Sequence, residues 1–249
     1  MNKILHINKM RFFKKTNYFF VLLVCSLCFT QLNAQRVRIP NNRNYDLKEY
    51  HFGFMLGLNQ MNFVIKNIEN LRILDTLYGI ESTPRMGFNI GIVADLRIND
   101  FMNLRFIPSL SFGERSLNYF IKFNNKIVSN IEKKVESTYI EFPLELKLRS
   151  QRMTNVRAYV LGGAKYCIDL ASQAKKVSEE DVVVVKLNRS DVLLEVGVGF
   201  EFYLVYFKLG TEIKMAYGIT DLLVRENNVY TDGIQKLNAK MFQFSLTFE

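Results

Sequence analysis

Few residues of this chain could carry out covalent chemistry, and their types and spacing narrow the choices quickly. A serine hydrolase needs an imidazole base beside its nucleophile. Of the two histidines, His6 falls in a basic leader and His51 at the start of a strand-like stretch. A histidine at a strand end more often serves structure than proton transfer, which makes His51 a weak candidate base. Glu141 and Glu145 stand two same-face positions apart, and paired carboxylates can share acid–base work. Lys147, Arg105 and Arg157 offer them simpler roles as ion-pair partners. Of the three cysteines, Cys25 and Cys28 lie in the leader, neither preceded by the small residue that a lipoprotein signal requires. Cys167 is left alone, so no intrachain disulfide can form, and nothing has the spacing of a zinc site. There is no phosphate-cradling glycine loop. Asn188-Arg189-Ser190 fits a glycosylation triplet, a pattern short enough to arise by chance. The residues therefore imply no cofactor, no metal and no catalytic centre. A lipid-modifying enzyme based on His51 is the minority alternative.

The more abundant chemistry is ionic. Asp95, Arg97, Arg105, Glu141, Glu145, Lys147, Arg157, Lys165, Glu195, Glu201, Lys208, Glu212 and Lys214 recur on one face of successive alternating segments. Both signs are present among glycines and serines. That is the composition of an internal, structural salt-bridge network, since buried charges are costly unless paired.

The elements that carry these charges alternate with period two, the signature of strands with unlike faces. The pattern predicts eight strands, over about His51–Asn59, Gly87–Ile98, Leu104–Gly113, Tyr139–Arg149, Val156–Leu170, Val192–Tyr203, Phe207–Ala216 and Phe242–Phe248. In the first, Phe52, Phe54, Leu56 and Leu58 oppose Gly53, Met55, Gly57 and Asn59. In the last, Phe242, Phe244, Leu246 and Phe248 oppose Gln243, Ser245 and Thr247. Connections alternate in length. Asn99–Met102, Ser150–Asn155 and Leu204–Tyr206 are short; about Lys66–Arg85, Leu117–Ser137, Ala171–Ser190 and Ile219–Lys236 are long. Short turns on one side and long loops on the other match an outer-membrane barrel, with both termini periplasmic.

A soluble barrel with its Phe-rich face inward is the rival. The opposite face argues against it, because it holds Gly53, Gly57, Gly87, Gly91, Gly113, Gly197, Gly199 and Gly210. Glycine weakens a solvated strand but makes room inside a narrow barrel, and eight strands leave an interior only just wide enough for side chains. A charge facing lipid near the bilayer midplane would cost on the order of 2–4 kcal/mol. The expected fold is thus all-β, an eight-stranded antiparallel up-and-down transmembrane barrel over 51–249. Its interior is filled, leaving no protein-sized channel.

Composition agrees. Hydrophobic residues make up 49% and charged residues 23% of 249, which excludes disorder. There are 21 Phe and 12 Tyr, a supply suited to strands and membrane girdles. The net charge of +9 suggests nucleic acid only until it is located. Lys3, Lys9, Arg11, Lys14 and Lys15 are five of the 33 basic residues and precede every one of the 24 acids, so the rest carries +4. No basic stripe with interleaved aromatics remains, and no nucleic-acid partner is expected. The basic run, the apolar stretch Tyr18–Phe29 and Leu32-Asn33-Ala34 read as a signal peptide over 1–34, cleaved after Ala34. That apolar stretch has 12 residues, short of the roughly 18 that span a bilayer. Met10 offers a second start that gives the leader a more ordinary length. Residues 35–50 form a polar periplasmic lead-in.

Six stretches carry a family resemblance. They are His51–Phe63, Gly87–Arg97, Asn103–Gly113, Tyr-Ile-Glu-Phe-Pro-Leu-Glu-Leu-Lys at 139–147, Arg-Ala-Tyr-Val-Leu-Gly-Gly-Ala-Lys-Tyr at 157–166, and the ending Phe-Ser-Leu-Thr-Phe-Glu. In this order they resemble the PorT-type outer-membrane barrels of Bacteroidetes across nearly the whole chain beyond the leader. The resemblance implies a non-enzymatic part in the type IX secretion system, which moves proteins from periplasm to cell surface. Its implied partners are outer-membrane lipid and other secretion components, and it defines no catalytic residue. Glu249 departs from the terminal aromatic typical of such barrels, a place Phe248 fills one residue early.

Overall fold

The computed structural model describes residues 40–68, 77–123, 126–171, 186–225, 231 and 233–249. The leader and the first residues of the lead-in lie outside them. Pro40 onward forms one compact unit. It opens with a single 3-10 turn, Tyr45–Leu47. Nine strand segments follow: β1 Tyr50–Asn67, β2 Leu77–Arg97, β3 Met102–Phe106, β4 Ser109–Phe123, β5 Lys126–Arg149, β6 Val156–Asp169, β7 Ser190–Tyr203, β8 Lys208–Gly218 and β9 Ile234–Phe248.

All neighbours are antiparallel, and each segment pairs with the next along the chain except β3, which pairs with β5 rather than β4, so that β2 and β5 each border both β3 and β4. β1 pairs with β2 on one side and β9 on the other, so the sheet closes into a ring. β3 and β4 lie end to end between β2 and β5 in one register: Ala94 faces Phe106 and Gly91 faces Ser109. The ring therefore has the eight expected strand positions. The third is divided at Ile107-Pro108, because proline brings no N–H to the ladder. The carbonyl of Pro108 still accepts from Ile92 N at 3.0 Å.

Two expected long loops are largely strand. The connections expected over Lys66–Arg85 and Leu117–Ser137 shrink, because β1, β2, β4 and β5 run on past the apolar band. β5 alone has 24 residues, where about 9–11 suffice to cross a bilayer. The three short turns stay at one end, with Pro40 and Glu249; we call this the terminal end and the other the far end.

Along these strands the two faces exchange polarity. On β1 the outward row runs Phe52, Phe54, Leu56, Leu58 and then Gln60 and Asn62, while the inward row runs from Asn59 to Met61 and Phe63. The partner strand changes at the same height, since Asn59 faces Gln243 and Met61 faces Met241. Outward Phe242 gives way to Lys240. The terminal half of the barrel is thus apolar outside and polar inside. The far half is polar outside and holds an apolar core of Met61, Phe63, Ile80, Leu117, Tyr119, Leu237 and their neighbours.

Candidate functional site

The interior of the terminal half is the site with the densest chemistry. Alternation sends every second residue of each strand inward, and twelve of the thirteen predicted charged residues are buried there. Arg105, on β3, reaches Glu212 at 2.9 Å, Asp95 at 3.7 Å and Glu145 at 3.8 Å. Lys214 bridges Glu145 at 2.7 Å and Glu212 at 3.5 Å. Lys147 pairs with Glu201 and lies 3.5 Å from Asp95. Lys208 binds Glu201 at 3.1 Å and Glu249 at 2.7 Å. Nearer the far half, Lys165 meets Glu141 at 3.1 Å and Glu195 at 3.7 Å.

Two of the thirteen are placed differently. Arg97 is only partly buried. It ends β2, and its guanidinium pairs with Asp100 in the adjoining turn, so it stands at the rim outside the network. The alternation runs one residue too far there, because the strand stops and the turn supplies a local carboxylate. Arg157 is buried, but it pairs at 3.0 Å with Asp46 rather than with a carboxylate borne on a strand.

Asp46 is the main residue that the strand pattern could not reveal, since the lead-in has no periodicity. It collects Arg157, Arg152 at 3.2 Å and Arg149 at 3.7 Å, and accepts a hydrogen bond from Tyr203 Oη at 3.0 Å. Burial pushes the Asp46 carboxyl up, but Arg157, the Tyr203 hydroxyl, Arg152 and Arg149 outweigh it and hold it below the usual carboxylate range. Residues 40–49 are thereby drawn across the terminal mouth. Asn41 N donates to Asn155 Oδ1 at 2.8 Å, and Asn41 Nδ2 donates to the Tyr203 carbonyl at 3.0 Å. Tyr45 donates to Glu249 at 3.1 Å.

The candidate catalytic groups are occupied. The His51 ring stacks on Tyr45 at 4.1 Å, with Nε2 2.8 Å from the Tyr45 carbonyl. Glu141 and Glu145 each face their own lysine, Lys165 and Lys214. Among the described residues no group of three or more His, Cys, Asp or Glu is placed to hold a metal.

Filling is completed by residues outside the expected network. A Cβ on Gly199 would overlap the Tyr159 ring, so glycine lets Tyr159 cross the lumen and donate to Glu212 at 2.9 Å. In the far half Arg115 lies over the Phe63 ring at 4.3 Å, donates to Ser137 Oγ at 2.6 Å, and bonds the Tyr139 hydroxyl. The cavity between Arg115, Tyr139, Cys167 and Met241 has 10 Å³ of free space, about one water.

A closed antiparallel ring, apolar outside and ion-paired inside, defines an outer-membrane β-barrel. The chain belongs to the family described as outer membrane protein beta-barrel domain, whose model matches residues 33–224. No curated protein matches it. Among solved structures, Neisserial surface protein A is 10% identical, with a TM-score of 0.39, over 80% of this chain and 98% of its own. The Yersinia pestis attachment invasion locus protein Ail is 13% identical, with a TM-score of 0.38, over 81% and 99%. Pseudomonas aeruginosa OprG is 11% identical, with a TM-score of 0.41, over 80% and 95%.

Proposed function

We propose that the chain is a non-enzymatic accessory of the type IX secretion system, acting in the outer membrane as a scaffold for export rather than as its conduit. The observation that carries the accessory reading is the filled interior: ion pairs occupy the terminal half and an apolar core the far half. The secretion reading draws on the resemblance of His51–Phe63, the 139–147 stretch and the ending to PorT-type barrels. The thirteen-residue charge set, apart from Arg97, then serves structure. The leader 1–34 is removed on export, and 35–50 faces the periplasm with the short turns, where other secretion components would meet them. The polar far ends of β1, β2, β4 and β5 offer a second contact surface. They equally suit the alternative, a small barrel with a structural or surface-binding role.

Deletion of the gene followed by profiling of the secreted proteome separates the two. Secretion substrates should be stranded in the periplasm. Normal export in the deletion strain would refute the secretion role and leave the surface-binding barrel. Removing 172–185 should leave the barrel assembled, because connections tolerate change better than strands.

A further inference from the structure

The terminal rim carries charge and aromatic surface that neither the interior network nor the fold requires. Arg149, Arg152 and Arg157 are paired with the one carboxylate of Asp46, and Lys208 with Glu201 and Glu249. Arg43 and Lys48 are not. Both are exposed, and among the described residues neither side chain has a hydrogen bond or an ion pair. They line a cleft of 410 Å³ between the 40–48 segment and the β7–β8 turn, closed by Tyr45, Tyr206, Phe207 and Glu249. Glu249 brings a side-chain carboxylate, engaged by Lys208 and Tyr45, and its main-chain carboxylate, which accepts from Lys208 N; Arg43 and Lys48 together outweigh that second charge, so the cleft keeps a net positive charge.

The turn itself is Leu204-Val205-Tyr206-Phe207, with Val205 63% and Tyr206 92% exposed. Four consecutive apolar or aromatic residues at a turn are poorly placed in bulk water and well placed in the headgroup layer of a bilayer, where amphipathic rings gather. Leu47, Tyr50, Phe101 and Met153 are exposed at the same rim. A cationic cleft opening at headgroup depth, with a basic wall and an aromatic wall, matches the two halves of a phospholipid headgroup. The phosphodiester is an anion suited to Arg and Lys, and the acyl carbons that follow the glycerol esters are apolar.

We propose that this cleft binds the headgroup of one phospholipid, its phosphate held by Arg43 and Lys48 and the acyl carbons that follow its glycerol esters laid against Tyr206 and Phe207. In the cell this rests on the proposed placement of the terminal rim in the periplasmic leaflet. The lipid test below does not depend on that placement. The leader-free barrel, purified in mild detergent, is incubated with phosphatidylglycerol or with diacylglycerol, which lacks the phosphate, and bound lipid is read by native mass spectrometry.

One phosphatidylglycerol should be retained and diacylglycerol should not. Arg43→Gln with Lys48→Gln should lower retention by about tenfold or more, equivalent to roughly 1.4 kcal/mol. Lys66→Gln with Lys240→Gln, at exposed far-half positions, should leave it unchanged. All variants should keep the heat-modifiable migration of a folded barrel. Equal retention of diacylglycerol, or undiminished retention in the Arg43/Lys48 variant, would overturn the site. So would adducts of inorganic phosphate formed in place of lipid. Labelling of the Arg43→Cys variant on intact cells tests the orientation separately, since reaction from outside would refute the periplasmic placement without touching the lipid result.

Discussion

At the scale of the residue, the interior rests on cations that each serve several carboxylates. Arg105 is the clearest case, because Glu212, Asp95 and Glu145 all approach it with no exposure to solvent. Arg105→Met should destabilise the barrel by on the order of 3–5 kcal/mol, since it leaves buried carboxylates without their partner. Adding Glu212→Gln should recover part of that loss. Urea titration of the barrel in detergent, followed by the gel shift between folded and unfolded forms, measures both. Asp46 provides the pH-dependent counterpart. Its carboxyl is held below the usual range in the folded protein, so its contribution to holding the cap is present above the ordinary carboxylate pKa of about 3.9. That contribution is lost as pH falls through the lower folded value. Amides 41–48 should be protected from hydrogen exchange near about pH 6 and lose protection towards about pH 2, and in Asp46→Asn they should be unprotected already near about pH 6. Unchanged protection in Asp46→Asn would show that the asparagine bonds hold the segment without the arginines. The strand-borne members of the network were legible in the sequence, because period two assigns each residue to a face. Asp46 was not, since it lies in a stretch without period, and Arg97 was misassigned where the period outlasts the strand.

At the scale of the element, the terminal halves of the strands were legible and the far halves were not. The physical reason is the exchange of faces. Phe52 to Leu58 alternate strongly against glycine and asparagine, whereas Gln60, Asn62 and Val64 alternate weakly against Met61, Phe63 and Ile65. Beyond the apolar band the outer face meets water and needs no apolar residues, so the stretches around Lys66–Arg85 and Leu117–Ser137 carry the composition of loops while forming ladders. Their backbone groups are satisfied by pairing all the same, as Glu81 opposite Asn118 and Ser116 opposite Lys134 illustrate. A cross-strand pair brings its Cβ atoms to about 4.5–5.5 Å, close to the span of a disulfide. Glu81→Cys with Asn118→Cys should therefore oxidise to an intrachain disulfide in the purified barrel, while Glu81→Cys with Phe120→Cys, one register step away, should do so far less. Mass mapping of the oxidised peptides checks it. Equal yields from both pairs would mean that these segments are not registered strands.

At the scale of the whole molecule, a ring of eight strand positions with side chains meeting across it should not conduct. Purified protein in a planar bilayer should show no large, steady conductance, and a stable wide pore would contradict the packed lumen. Arg105→Ala with Lys147→Ala should at most add small, flickering openings, because the core around Leu117, Tyr119 and Leu237 still closes the far half. The exchange of faces has one more consequence. A single chain here folds against two different solvents. Only the far half, with its core turned away from water, can draw on the hydrophobic effect in the way a soluble domain does. The terminal half stands in hydrocarbon, where apolar side chains gain nothing by leaving their surroundings, and it must be held by its ladder and by Coulomb attraction. Extremes of pH therefore act chiefly on the terminal half of this barrel, whose buried pairs salt can hardly screen, and temperature and chaotropes chiefly on the far half.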